Sequence, residues 1–369
     1  MSLTLTSQQL ELQNSYRTFL AGEWESTKRR KVLPAVNQDR SSQLKLIQEF
    51  GICDLFSLEA GEDRLTLKEL GLFAFETGFG LPTISPHLIA FFSSYLPTQL
   101  GDFSASFVKA FDAPVFERAA HAAPPAACAL ATFTNAASVT ERSQGGNLRV
   151  DVCLPLVIEG KGAELVYFKG KGSEGESWYA ARLSGGKEQR IETKVLNVID
   201  LLQPYHELTL LNVHAQRLPT AVSASLSLEL QVLWAQELSG IAAAVVALTS
   251  EYVKTRTQFG KQIGSFQAVQ HTLSDMYSRA EASRSLSQFA AWSLAAKQDQ
   301  GELAGRAALA FATKEVPAIV ESAIQLHGGI GFTWEHDLHL YLRRAQFLSL
   351  LAQVDEAATA AFLETAQRS

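Results

Sequence analysis

Arg256 follows a long helical pattern, three residues ahead of Phe259-Gly260, and Gly328-Gly329 follow a second pattern with Gln325 three residues before them. A guanidinium and glycine-exposed backbone N–H groups can hold an anion such as a phosphate. Taken singly, an arginine after a helix reads as a surface ion-pair partner and a glycine pair as a helix cap. Glu229 and Glu237 lie within the pattern before Arg256. Glu237 shares a stripe with Leu230, Trp234 and Ile241, and a carboxylate on a buried face is a candidate for proton transfer. His327, His336 and His339 read as solvated or interface histidines, and no carboxylate–cysteine cluster completes a metal site. Cys53, Cys128 and Cys153 are widely spaced, with neither a disulfide framework nor a zinc spacing, which fits a reducing cytoplasm.

The 369 residues, 47% hydrophobic and 19% charged, suffice for two or three packed units with a sizeable core. A net charge of -6 without a basic stripe argues against nucleic-acid and anionic-membrane partners. The short basic run Lys28, Arg29, Arg30 and Lys31 reads as a solvated helix end or loop. The polar N-terminus lacks the apolar core of a signal peptide, and no unbroken apolar run spans a bilayer, so a cytoplasmic location is expected.

Helical spacing predicts elements over 7–24, with Thr6-Ser7 as N-cap, then over 41–50, 65–77 and 85–95, before the AAPPAA break at 122–127. Between 128 and 218, period-two runs at 150–156, 165–168, 178–183, 191–195 and 208–213, several separated by glycine turns, predict a small antiparallel sheet. After Pro219 the pattern is helical again: 226–252, 265–298, 303–326 with a break near Pro317, and 336–365. The expected fold class is α+β, mainly α: an N-terminal helical domain (1–127), a middle antiparallel β domain (128–219) and a C-terminal four-helix bundle (220–369).

Two segments are more specific. YVKTRTQFGKQIGSFQAVQHTLSD (252–275) and QLHGGIGFTWEHDLHLYLRR (325–344) resemble the acyl-CoA dehydrogenase flavoprotein family, whose signature T-R-x-Q-F-G-x-x-I-x-x-F-Q-x-x-x-H leads the second bundle helix. A Q-x-x-G-G-x-G-[FY] turn follows the family's third. The helix, sheet, helix order matches that fold across the chain. The resemblance implies an FAD cofactor shared between subunits: Arg256 reaches the dinucleotide across an interface, Phe259 packs beside it, Gln325 bonds near the adenine end, and Gly328 and Gly329 let the main chain approach.

The resemblance also implies α,β-desaturation of an acyl-CoA, with a glutamate as base and a hydride passing to the flavin. Most members carry that glutamate where this chain has Ala352; another branch carries it where this chain has Leu230. The loop T-E-P-x-A-G-S-D is replaced by ATFTNAAS (131–138), and the W-[IS]-[ST] strand by Leu154-Pro155-Leu156-Val157. No catalytic residue is therefore assigned. The pattern resembles the diverged subunit of heteromeric α2β2 enzymes acting on steroid or bile-acid side-chain thioesters. A catalytic partner subunit and an acceptor such as an electron-transfer flavoprotein are then expected. A homotetramer using Glu237 or Glu229 as base, and a flavin-free structural subunit, are the alternatives; Glu237 itself reads as structural.

Overall fold

The computed structural model describes residues 4–33, 41–56, 65–99, 128–131, 136–144, 147–159, 163–183 and 188–352. The break at 122–127, the glycine turns at 160–162 and 185–186, residues 132–135 of the replaced loop and the last helix beyond 352 lie outside the described residues. The chain forms two compact units: residues 1–32, 67–83 and 228–369, and residues 33–66 and 84–227.

The first unit is helical. Helix α1 (Ser7–Glu23) opens on a capping box, in which Thr6 accepts from the Gln9 amide while the Gln9 side chain accepts from the Thr6 amide. Helix α2 (Ser26–Val32) follows. Helix α4 (Leu67–Gly80) is apolar on nearly every side and buried accordingly, with Leu70, Phe73, Ala74 and Phe75 at the centre. Its buried acids are tied to α1: Gln13 and Arg17 donate to Glu76 at 2.6 and 2.7 Å, and Gln9 donates to Glu69 at 2.6 Å. Helix α7 (Thr220–Thr255) supplies the long central element from Leu228 onward.

Where α4 meets α7, backbone touches backbone. A Cβ on Gly78 would lie 1.9 Å from the Glu237 carbonyl oxygen, and one on Gly240 would lie 1.8 Å from that of Phe75. No other residue fits either place. Helices α8 (Gln267–Ala295), α9 (Gly301–His327) and α10 (Leu338–Ala352) complete this unit. The break expected near Pro317 does not occur, since α9 runs straight through it. Pro317 has no N–H for the carbonyl of Thr313; the Ser349 hydroxyl of α10 donates to that carbonyl instead, at 3.2 Å. An 18-residue stretch of α7 is apolar enough to cross a membrane, but 83% of it is buried inside the protein.

The second unit holds helix α3 (Ser41–Phe50), short helices α5 (Pro86–Ala90) and α6 (Leu96–Gln99), and the sheet. The single helix expected over 85–95 is interrupted, because Phe91–Tyr95 between α5 and α6 widens into a π-turn. This lets Phe92 stack on Tyr167 at 4.9 Å. The strands are β1 (Cys128–Ala131), β2 (Ala137–Ser138), β3 (Thr140–Gln144), β4 (Asn147–Ile158), β5 (Leu165–Gly172), β6 (Gly175–Arg182), β7 (Arg190–Leu196) and β8 (Tyr205–Arg217). The main ladders are antiparallel, with short parallel pairings of β1 and β2 to β5. Pairing runs β4–β1–β5–β6–β8 and returns to β4, so the sheet curls closed around Val150, Val152, Phe168, Tyr179, Val213 and Ala215.

One carboxylate fastens this curl. Glu141 of β3 accepts from the Ser173 amide (2.9 Å) and hydroxyl, the Tyr179 hydroxyl (2.9 Å) and Arg217 (2.6 Å). Burial works against its charged form, but these donors outweigh burial and hold the carboxyl down at about 2. Its folded pKa lies below the unfolded value, so its stabilisation is present above about 4.5 and is lost as pH falls toward about 2. Glu141→Gln is expected to lower stability at neutral pH by about 1.5–3 kcal/mol and to flatten the acid limb of the stability–pH curve, measured by denaturant unfolding between neutral pH and acid.

Candidate functional site

The residues with a candidate role in ligand contact gather at one end of the helical unit. Helix α7 ends at Thr255, and the Arg256 amide still bonds back to the Tyr252 carbonyl at 2.9 Å. A hairpin follows, β9 (Thr257–Gln258) and β10 (Lys261–Gln262), joined by Phe259-Gly260. Both loop residues have positive φ, +55° and +79°, the hallmark of a tight type I′ turn. Asparagine or glycine normally occupies the first of these places. Phenylalanine there is strained, and its ring is 92% exposed. The Arg256 guanidinium, also exposed, makes no hydrogen bond or ion pair with the described residues.

The second segment begins where α9 ends. Gly328, at φ +66°, caps the helix by donating to the carbonyls of Gln325 and Ile324. A Cβ on Gly328 or Gly329 would meet nothing within 4 Å, so the main chain here is open to an outside ligand. Gln325 is exposed, as are Phe332 (72%) and Trp334 (63%) beyond it.

The two segments are joined by a contact that sequence spacing did not suggest. Tyr252, one turn before Arg256, stacks on His327, immediately before Gly328, with ring centroids 4.1 Å apart. The Tyr252 hydroxyl also donates to the His327 carbonyl at 3.2 Å. His327 is thus buried rather than solvated, with Nδ1 against the Ala323 carbonyl at 2.8 Å. Burial pushes its pKa down, as it does for the half-buried His336 and His339. Among the described residues no group of three or more His, Cys, Asp and Glu could hold a metal.

The basic run at 28–31 is a solvated helix end only at Lys28 and Lys31, which are exposed. Arg29 is buried and bonds Asp337 at 2.6 Å and the carbonyls of Trp24 and Gly80 at 2.9 and 2.6 Å. Arg30 bonds the other Asp337 oxygen at 2.8 Å and the Glu335 carbonyl at 2.6 Å. This clamp secures the chain between Gly328 and α10. Burial opposes the Asp337 charge, but the two arginines overcome it and hold the carboxyl below its usual range. The run read as generic because the acid it serves lies some three hundred residues away.

The carboxylate positions divide sharply. Leu230 and Ala352 are both buried and apolar. Glu237, 1% exposed, accepts from Arg344 Nε at 2.9 Å and Nη2 at 2.7 Å. Both bonds fall on one carboxylate oxygen, and a buried pair of this kind is strongly destabilised when one member is removed, so the pairing ties Glu237 to the packing of its helices. Glu229, beside Leu230 on α7, is partly buried, and burial alone pushes its carboxyl up to about 7.

Residues 220–359 match the family model for the acyl-CoA dehydrogenase C-terminal domain. The chain therefore carries an acyl-CoA dehydrogenase C-terminal domain within an acyl-CoA dehydrogenase fold. In sequence it is similar to the acyl-CoA dehydrogenase IpdE2 of Mycobacterium tuberculosis, 43% identical over 115 residues, which are 31% of this chain and 34% of that protein. The match thus spans about a third of that relative's length. In structure it resembles a variant of the Tcur3481-Tcur3483 steroid ACAD, with TM-score 0.80 and 20% identity over 99% of this chain and 100% of the other. It also resembles the ChsE4-ChsE5 complex of Mycobacterium tuberculosis, with TM-score 0.79 and 19% identity over 100% and 98% of the two chains.

The strained turn gives a direct test. Phe259→Asn is expected to raise the unfolding stability of the isolated chain by about 0.5–1 kcal/mol, part of the cost of holding a bulky residue at positive φ. Thermal or denaturant unfolding measures it. A fall in stability would show that the ring is held by contacts within the chain rather than offered outward.

Proposed function

We propose that this chain is one subunit of an FAD-dependent acyl-CoA dehydrogenase, acting with a second acyl-CoA dehydrogenase-like chain that carries the base. The observation that supports this is the division just described: Arg256, Phe259 and the open Gly328-Gly329 main chain form an exposed surface, while Leu230 and Ala352 stand where a carboxylate would be needed. The residues fit FAD. Arg256 offers an exposed guanidinium, unpaired among the described residues and suited to the pyrophosphate, Gly328 and Gly329 leave open space over the main chain, and Phe259 offers an aromatic face. Gln325 lies on the same exposed rim.

When bound, FAD supplies the hydride acceptor for desaturation of an acyl-CoA thioester. This chain's share is binding and orientation: Arg256 neutralises phosphate charge, Phe259 and Gln325 fix the ring systems, and the Tyr252–His327 stack holds both segments in register. The α-proton passes to the partner's carboxylate. The steroid ACAD and the two-component ChsE4-ChsE5 complex among the structural neighbours support a second subunit and a steroid-type substrate; the α2β2 stoichiometry and a bile-acid side chain rest on the sequence resemblance. Electron-transfer flavoprotein then serves as acceptor, in the cytoplasm.

The perturbed carboxyl of Glu229 favours a second reading, a self-sufficient enzyme with Glu229 as base. The visible spectrum separates the two. The partner-subunit reading predicts a colourless chain alone and a yellow complex on co-expression with the catalytic chain, with about one flavin per unlike pair. Acyl-CoA should bleach that complex equally fast with Glu229→Gln. A chain that is yellow alone, with bleaching slowed by at least ~100-fold in Glu229→Gln, establishes the second reading instead.

A further inference from the structure

Four basic side chains stand in one row across the sheet. Arg142 of β3 lies opposite Arg149 of β4, and Arg149 lies opposite His214 of β8. One step past the Ala181–Ala215 pair, Arg182 of β6 comes alongside His214. Their chain neighbours Val150, Val213 and Ala181 point into the core, so the row occupies the outer face. Like charges set directly opposite destabilise a sheet, and such a row calls for counter-charge.

Arg142 has it in Asp151. Asp151, two residues from Arg149 on the same face, pairs with Arg142 and accepts from the Asn212 amide at 2.7 Å. Arg190 of β7, opposite Leu211, is tied to Glu192. Arg149 donates one bond, to the Asn212 carbonyl at 3.2 Å, and Arg182 donates none. The Nε–H of each arginine is buried without an acceptor. The backbone is shaped here as well: Val152 and Val150 pair with Leu210 and Val213, so β8 bulges by one residue, and Asn212 takes φ +55°.

We propose that Arg149, Arg182 and His214 form an oxyanion-binding site on the outer face of the sheet, and that its ligand is a phosphate group. Shielded, orphaned guanidinium N–H groups suit a compact tetrahedral anion that descends between side chains. Gln216, two residues on along the same face, buries its carboxamide oxygen without a donor, which the hydroxyl of a protonated phosphate satisfies. His214 is held below its usual pKa by burial and then by Arg149 and Arg182; an arriving anion reverses that balance and draws a proton onto the ring. The phosphate is either inorganic or carried by a nucleotide.

Histidine-selective NMR of the full chain near pH 6 tests this, with the His214 resonance assigned through His214→Gln. Inorganic phosphate is expected to shift that resonance saturably, and Arg182→Gln to weaken binding by at least ~10-fold. Arg149→Gln should act alike; should it not fold, Arg182→Gln suffices, since Arg182 makes no hydrogen bond with the described residues. Adenosine 3′,5′-bisphosphate binding more than ~10-fold tighter than phosphate assigns the nucleotide source, and equal affinity assigns free phosphate. A His214 signal that ignores phosphate, responds equally to chloride at matched ionic strength, or is unchanged in Arg182→Gln overturns the site.

Discussion

The contact between α4 and α7 fixes the geometry of the helical unit. Gly78 and Gly240 bring the two backbones together so closely that a single added carbon at either place would overlap a carbonyl. At this crossing Glu237 turns its side chain to Arg344 of α10, so one buried charge pair joins a third helix to the two that already touch. Pairing a carboxylate with a forked guanidinium offsets the cost of taking both from water only while both remain charged. The buried carboxylate of Glu237 is thus engaged in holding helices together, while Leu230 and Ala352 are buried and apolar.

The end that carries Arg256 and Gly328 follows a different logic. Its interior supports are rigid: the Tyr252–His327 stack, the Gly328 cap and the Arg29–Asp337 clamp each fix one stretch of backbone. Its outward groups are exposed. Among the described residues Arg256 has no counter-ion, Phe259 is strained and exposed with only the Phe266 ring edge-on to it, and the main chain at Gly328-Gly329 is open. Strain of 1–3 kcal/mol at one residue persists only when its surroundings over-determine it, and it tends to cluster where ligands are clamped. A surface that is destabilising in isolation is consistent with one completed by a second chain and a shared cofactor.

Much of this was legible in the sequence. Helical period and the Thr6 cap located α1, and period-two runs located most of the sheet, because those signals are local. The two signature segments pointed to Arg256, Phe259, Gln325, Gly328 and Gly329, which the structure sets at one end of the bundle. What escaped depended on distant partners. Arg29 looked solvated because Asp337 is far along the chain, Pro317 looked like a break because its relief comes from Ser349, and His327 looked exposed because Tyr252 covers it. The Arg149–His214–Arg182 row was invisible for the same reason, since strand register alone assembles it.

The central claim is that this chain lends Arg256 to a flavin held mainly by another subunit. Its most direct test is the flavin affinity of the co-purified assembly carrying Arg256→Gln, measured by flavin release on dilution, with size-exclusion chromatography monitoring assembly. The account predicts an intact assembly whose flavin affinity falls by at least ~10-fold, the loss of a charge-assisted bond to phosphate. Full flavin retention in the intact variant would contradict it.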